Sequence, residues 1–406
     1  MKNRIADNSR GFNGFRNIVF LGLISCFADI SAEMVYPIIP LYLTAVLGAT
    51  PALVGIIEGI AESIASLLKV FSGYFSDRFA HKKPLAFIGY ASGVVYKIVL
   101  LLAPGWGGVL AGRVVDRLGK GIRTAPRDVM VTESAEEGHM GGAFGIHKML
   151  DMLGSAVGIF IAFMLVRSTG QESYRIVFAV SIIPVLIALV IFAFVKEKPA
   201  EERKTDEKER EPFWKNASKL DAKLKLYLVV TFIFTLGNSS NSFLLLRAEN
   251  AGFSGSGAIF LYFIYTAVAS LLAVPCGRLS DKIGRKKLLV GGYITFSVVY
   301  FAFALCKSMK LMPLIFVLYG LFTAMTAGVE RAFVSEIAPP ELKGTMLGLQ
   351  AALAGIALLP ASVIAGFLWV HISASAPFVY GAVLALISAV MVGFGFTKYD
   401  RRETAQ

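Results

Sequence analysis

The sequence predicts an all-α membrane protein: twelve transmembrane helices in two pseudo-symmetric six-helix bundles. Three observations predict it. Of 406 residues, 56% are hydrophobic and only 17% charged, whereas a soluble domain keeps about a quarter of its residues charged. Apolar stretches of roughly 20 residues, each enough to cross a ~30 Å hydrocarbon layer, recur along nearly the whole chain. The second half of the chain also repeats features of the first.

Taken in order, the predicted spans are 16–46, 51–75, 84–103, 106–126, 140–166, 175–195, 222–247, 254–277, 287–306, 311–335, 342–370 and 375–397. The first follows a basic stretch (Lys2, Arg4, Arg10, Arg16) that could imitate a signal peptide. It holds Asp29 and Glu33 and runs on without a small-residue cleavage site, so an uncleaved helix is expected. Connectors after the odd-numbered spans are short and poor in charge, such as Gly48 to Thr50. Those after spans 2, 4, 6, 8 and 10 are rich in it, among them Asp77-Arg78-Phe79-Ala80-His81-Lys82-Lys83 and Asp281-Lys282-Ile283-Gly284-Arg285-Lys286-Lys287. A Lys/Arg excess marks the cytoplasmic side. The chain is therefore expected as a multi-pass protein of the plasma (inner) membrane, both termini cytoplasmic.

The net charge of +12 sits in these connectors. It orients the chain in a lipid bilayer, and nucleic acid is not expected as a partner. Cys26, Cys276 and Cys306 fall within apolar runs without metal-type spacing and read as small core residues. No cofactor, no resident metal and no catalytic residue is expected, because nothing resembles a nucleophile–base pair, a phosphate loop or a metal-hydrolase motif. An enzyme is thereby excluded, and a monomer is expected.

From Lys196 to Lys225 the chain is dense in Lys, Glu and Arg, with Pro199 and Pro212 and almost no apolar residue before Phe213 and Trp214. Such a stretch cannot bury a core. The predicted organisation is an N-terminal bundle over 1–195, a charged cytoplasmic linker over 196–221 and a C-terminal bundle over 222–406. The halves are related. Gly73-Tyr74-Phe75-Ser76-Asp77-Arg78 returns 204 positions later as Gly277-Arg278-Leu279-Ser280-Asp281-Lys282. Gly145-Ile146-His147 and Glu133 return 203 positions later as Gly348-Leu349-Gln350 and Glu336. Paired repeats of this kind characterise secondary transporters, with substrate bound between the halves near the bilayer midplane.

These residues resemble the major facilitator superfamily, over essentially the whole chain. Its loop signature, G-x-x-x-D-R/K-x-G-R/K-x-x, is met closely by Gly277 to Lys287. The first-half copy keeps Gly73, Asp77, Arg78, Lys82 and Lys83 but has Ala80 in place of glycine. The fourth-helix motif R-x-x-Q-G-x-G-x-A is met by Arg117, Gly121 and Ala125, with Lys120 and Arg123 as departures. Of the antiporter motif G-x-x-x-G-P, Gly154 and Gly158 are present and Ile159 replaces the proline. Asp29-Ile-Ser-Ala-Glu33 and Gly119 to Arg127 look like bacterial members with unassigned substrates. The resemblance implies that spans 1, 4, 7 and 10 line a cavity. It also implies that Asp77, Arg78 and Asp281 brace an inner gate, with Arg127 and Arg331 as the matching cations.

A charge at the bilayer centre costs about 2.5–3.5 kcal/mol even on insertion scales, so each needs a reason. Asp29 and Glu33 lie one turn apart on span 1, as do Glu58 and Glu62 on span 2. Span 4 carries Arg113, Asp116, Arg117 and Lys120 on one face; span 5 carries His147, Lys148 and Asp151. Counting along the helices puts Asp29 roughly 20 Å and Arg117 roughly 16 Å inside from opposite ends. These acids and bases read either as a buried ion-pair network that holds the bundle or as a proton-coupling and substrate site. The proton-coupling and substrate candidates are Asp29, Glu33, Glu58, Glu62, Arg113, Arg117, His147 and Asp151. In the second half Asn238, Asn241 and Gln350 are neutral candidates for the substrate cavity, joined by Tyr36 from span 1.

The expected function is movement of a small molecule by alternating access, coupled to protons and directed outward. The same residues allow proton-coupled import of an anionic solute, for which the span-4 bases would be the binding surface. His147 and Asp151 keep a metal or siderophore exporter open, and a non-transporting sensor of the same fold is the rival of another class.

Overall fold

The computed structural model of the protein describes residues 2–78, 82–135, 140–169, 174–197, 220–339 and 342–396, with backbone only for 2–13, 69–78, 140–141 and 344. The described residues are helical, without a strand. Span 1 is α1 (Lys2–Val35) with α2 (Ile38–Ala45). Spans 2 to 5 are α3 (Pro51–Arg78), α4 (Lys82–Leu102), α5 (Trp106–Ser134) and α6 (Met140–Thr169). Span 6 is α7 (Tyr174–Val180) with α8 (Ile182–Ala193), and span 7 is α9 (Ala222–Gly237) with α10 (Ser242–Asn250). Spans 8 and 9 are α11 (Gly255–Ile283) and α12 (Arg285–Leu305), and span 10 is α13 (Met312–Thr326) with α14 (Val329–Ile337). Spans 11 and 12 are α15 (Lys343–His371) and α16 (Ala376–Gly395). Each predicted span is thus met by helix. Eleven are long and apolar enough to cross a membrane on composition. The twelfth, α5, falls short because of its own charges, and Arg113 and Arg117 on it are buried by neighbouring helices.

Four spans that the sequence presents as continuous are interrupted, each for a local reason. Pro37 cannot donate to the preceding turn, and its ring crowds the carbonyl four residues back, which separates α1 from α2. Pro184 acts in the same way near Ser181. There the exposed carbonyl is satisfied from outside, by the Ser31 hydroxyl at 2.6 Å. Between α9 and α10 the run Asn238 to Asn241 offers side chains that compete with the helical backbone: Ser240 Oγ accepts from Ser242 N at 3.2 Å. At Ala327–Gly328 the glycine weakens the helix between α13 and α14.

The chain packs as two compact units. The first comprises Met1–Ile39 and Leu68–Glu207. In it α1 lies along α6 at very close range. A side chain at Gly154 would collide with the Cys26 carbonyl, and a Cβ at Gly158 would stand 2.5 Å from the Ile30 carbonyl. Small residues four apart on one helix thus meet backbone four apart on the other, the usual way for membrane helices to approach. Asn17 locks one end, bonding Ser134 Oγ at 2.7 Å and both backbone groups of Lys196 at 3.0 and 2.9 Å. Glu197 caps the start of α4 by accepting from Lys82 N and Lys83 N at 2.5 and 3.3 Å.

The second unit comprises Pro40–Leu67 and Lys208–Gln406. Its division differs from the one at the charged linker, because α2 and the first part of α3 pack with the C-terminal helices. The seam between α3 and α15 is lined by small residues. Ser63 Oγ donates to the Gly355 carbonyl at 2.6 Å, and Cβ atoms at Gly355 and Gly366 would stand 2.8 and 2.7 Å from Ser66 and Ala52. Stacked rings fill the rest of the unit: Phe234 on Tyr293 at 4.1 Å and Phe296 on Tyr300 at 3.9 Å. Buried Arg247 on α10 closes the end of α12, donating to the carbonyls of Phe303, Ala304 and Cys306 at 2.8, 3.2 and 3.2 Å. These are acceptors that a helix end leaves unpaired. The predicted linker lies outside the described residues over 198–219, as do the side chains of Asp77 and Arg78.

Candidate functional site

Helical spacing places Ser25, Asp29 and Glu33 on one strip of α1, with Tyr36 just past its end, and Arg113, Asp116/Arg117, Lys120, Arg123 and Arg127 on one strip of α5. The helices run antiparallel, and the strips meet in register. Arg113 and Arg117 lie over the Tyr36 ring at 5.3 and 5.9 Å. One level along, Arg123 Nη2 is 3.9 Å from Asp29 Oδ1. One level further, Arg127 Nη1 donates to Ser25 Oγ at 3.3 Å. Within α5, Asp116 Oδ2 answers Arg117 at 3.4 Å and Arg113 at 4.0 Å. The base facing Asp29 is therefore Arg123, and Arg117 belongs to the Asp116 and Tyr36 level.

α6 adds a second acid at the Asp29 level. Asp151 lies within electrostatic range of Asp29, and Lys148 Nζ stands 3.5 Å from Asp151 Oδ2. One turn back on the same two helices, Ser25 Oγ bonds His147 Nε2 at 3.0 Å and Tyr90 Oη at 3.2 Å. Arg123 also lies over the Tyr90 ring at 4.5 Å. The parallel run of α1 and α6 pairs 25 with 147 and 29 with 151, the register that the glycine contacts enforce. Two neighbouring carboxylates repel each other, and a proton on either one relieves that repulsion.

The second unit holds a neutral polar cluster. At the break in span 7, Asn241 accepts from Tyr319 Oη at 2.9 Å and donates to Tyr265 Oη at 3.4 Å. The two tyrosine rings are 4.9 Å apart. An amide with two phenols in a ring-lined site offers donors, acceptors and π faces, but no charge.

The Major Facilitator Superfamily pattern matches residues 21–227 and again 226–406. The chain belongs to the Major Facilitator Superfamily. It is 35% identical over 385 residues to the uncharacterized MFS-type transporter MJ1317 of Methanocaldococcus jannaschii, covering 93% of this chain and 94% of that one. A probable 4-methylmuconolactone transporter of Cupriavidus pinatubonensis is 26% identical over 321 residues, covering 75% and 72%. Among solved structures, the nucleoside transporter NupG superposes with a TM-score of 0.78 at 10% identity, covering 94% of this chain and 99% of that one. The protein is a multi-pass membrane transporter and not an enzyme.

Within this family fold the other predicted residues take separate places. Glu58, fully buried, and Glu62 lie on the part of α3 that packs in the second unit. Gln350 is buried on α15, and Asn238 ends α9 with its N–H on the Phe234 carbonyl at 3.0 Å. Among the described gate candidates, Asp281 pairs with Arg285 at 3.7 Å, and Arg285 reaches Glu336 at 3.4 Å. Arg331 is exposed on α14, and Arg127 holds Asp128 at 2.8 Å. Among the described residues no three His, Cys, Asp or Glu side chains converge as metal ligands would.

Sequence reasoning leaves out two residues and gives a third another part. Arg123 enters it as a departure from a motif and as one of the span-4 bases of the anion-binding reading, not as the partner of Asp29. Lys97, 1% exposed on α4 with Nζ 4.8 Å from the Tyr96 ring centre, stands alone in an apolar run. Glu330, in the first turn of α14, stands beside the better-marked Arg331. The signal for Lys97 and Glu330 was the rule already applied to Asp29: a charge inside a span needs a reason.

Proposed function

We propose that this transporter is proton-coupled, that the Asp29–Asp151 pair carries the proton, and that it exports a small organic molecule in exchange. The observation that carries this reading is Asp29 set 3.9 Å from Arg123, with Asp151 brought to the same level by the Ser25–His147 bond one turn back. The pair has two arrangements. With a proton, the acids hold each other. Without it, their charges repel, and Arg123 is placed to take Asp29 while Lys148 holds Asp151. A transport step that moves α5 against α1 and α6 therefore changes how tightly the proton is held, and the converse follows by linkage. A solute that displaces the proton from this level leaves in exchange for it. The lactone transporter among the relatives supports an organic solute. The chain works as a monomer in the plasma membrane with both termini cytoplasmic, its bundles being 1–195 and 222–406.

A second reading, import of an anionic solute with protons, is favoured by Lys97, Arg113 and Arg117, all buried on adjoining helices. Liposomes holding the protein, with an imposed pH difference and a panel of amphipathic cations and organic acids, separate the two. Exchange concentrates the solute on the acid side, whereas cotransport concentrates it on the alkaline side. Asp29→Asn and Asp151→Asn are each expected to lose accumulation yet still equilibrate solute, since an amide keeps the shape but carries no exchangeable charge. A double variant that accumulates solute as the parent does would remove the pair from the coupling step.

A further inference from the structure

The second unit holds an acid that the carboxyl pair of the first does not use. Span 10 breaks at Ala327–Gly328, and Glu330 sits in the first turn of the helix that follows. Tyr293 of α12, 1% exposed, donates its hydroxyl to Glu330 Oε1 at 3.3 Å. Tyr227 of α9, fully buried, brings a second phenol within electrostatic range, its ring 5.4 Å from that of Phe333.

The other ionisable groups on the packed elements are engaged elsewhere or lie at the helix ends. Arg331 follows Glu330 in the chain and is exposed. Arg285 at the start of α12 is spent on the Ala332 carbonyl, Glu336 and Asp281. α13 brings no charged side chain, and α15 carries only Lys343 at its start and His371 at its end. Among the described residues Glu330 makes no ion pair. Its charge rests on one phenol, on the positive end of a helix and on the nearby charge of exposed Arg331, against the cost of apolar rings around it.

We propose that Glu330 is a second proton-binding site, with Tyr293 as the donor that holds its charged form. The two influences oppose each other, so a small movement of α14 against α12 is enough to load or release the proton to water. The break at Ala327–Gly328 supplies the place for that movement. Its part in transport rests on the proton-coupled reading above; protonation of Glu330 itself does not.

Infrared difference spectra of the full chain in liposomes, titrated from neutral to acid pH, test this through the carbonyl stretch of protonated carboxyl groups. At least two titrating bands are expected. Glu330→Gln removes one and leaves the other, which Asp29→Asn or Asp151→Asn removes or alters. Tyr293→Phe keeps the Glu330 band but displaces its midpoint by about tenfold or more in proton concentration, as loss of a hydrogen bond to a charged group requires. A folded Glu330→Gln protein that retains every titrating band overturns the proposal. So does Tyr293→Phe with an unmoved midpoint, and this variant decides the matter if Glu330→Gln does not fold. Loss of the Glu330 band with no effect of Asp29→Asn would support this site and count against the carboxyl pair.

Discussion

The two units carry polar groups inside the membrane in opposite ways. In the first, three levels of α1 meet three levels of α5, and two of those contacts set a guanidinium against an acid or a hydroxyl. In the second, Asn241 is held by two phenols, and Arg247 is consumed by the carbonyls that end a helix. A charge ladder can be reset by one proton where a level is balanced by a carboxylate, as Arg123 is by Asp29. An amide among rings has nothing to neutralise and can only bind or fail to bind. On the proposed reading, the carboxylates of the first unit serve energy coupling and the Asn241 cluster of the second serves recognition.

The largest effect expected from this division lies in the contrast between Asp151→Asn and Asn241→Ala. Asp151→Asn should abolish concentration of solute against its gradient. Asn241→Ala loses two hydrogen bonds between neutral groups, each worth about 1 kcal/mol. It should raise KM up to roughly thirtyfold while leaving the final accumulation ratio intact. Uptake curves and steady-state ratios in the same liposomes give both numbers. If Asn241→Ala lost accumulation and Asp151→Asn only affinity, the assignment of the two units would be reversed.

The fold was legible because membrane spanning needs only length and apolarity, and both are written in the chain. The pairing across helices was not. Counting residues from the span ends set Asp29 against Arg117, but α1 and α5 meet one level lower, at Arg123. That difference of six residues is roughly 9 Å along a helix, more than a side chain can span, and the register is fixed by packing. The glycines that fix part of it, Gly154 and Gly158, were read as remains of a transport motif. Their contacts with Cys26 and Ile30 show a packing role. Likewise the charged linker divides the chain by composition, but the small residues of α3 and α15 draw Pro40–Leu67 into the second unit. Lone charges such as Lys97 and Glu330 escaped because no neighbour at helical spacing drew attention to them.

A smaller effect should separate glycines that set register from those that do not. Gly158→Leu forces side-chain atoms against the Ile30 carbonyl, and overpacking of this kind costs about 1–3 kcal/mol or more. Gly145→Ala meets nothing within 4 Å and should be neutral or stabilising by up to about 1 kcal/mol, the helix preference for alanine. Thermal unfolding of the detergent-solubilised protein compares them. Equal stability of the two variants would mean that α1 and α6 can shift past each other, and that Asp29 and Asp151 are not held together by this contact.

The smallest effect concerns the repeated loop, where the two halves are most alike in sequence. In the second copy Arg285 bridges Asp281 and Glu336, but Asp281 is 68% exposed and the bonds are 3.7 and 3.4 Å. Exposed pairs of this kind contribute about 0–1 kcal/mol, and the Arg285 bond to the Ala332 carbonyl at 3.3 Å adds little more. Arg285→Gln should therefore lower stability by about 1 kcal/mol at most. The same energy has a larger kinetic meaning if the bridge holds in only one conformation of the cycle, because 1 kcal/mol then shifts the balance of states about fivefold. Transport should slow by up to that factor with KM nearly unchanged. Asp77→Asn in the first copy should behave alike, slowing turnover and sparing affinity. Should Arg285→Gln weaken binding without changing the maximal rate, the loop of the second half would act on the substrate site instead of on the conformational balance, and its likeness to the first copy would be one of sequence alone.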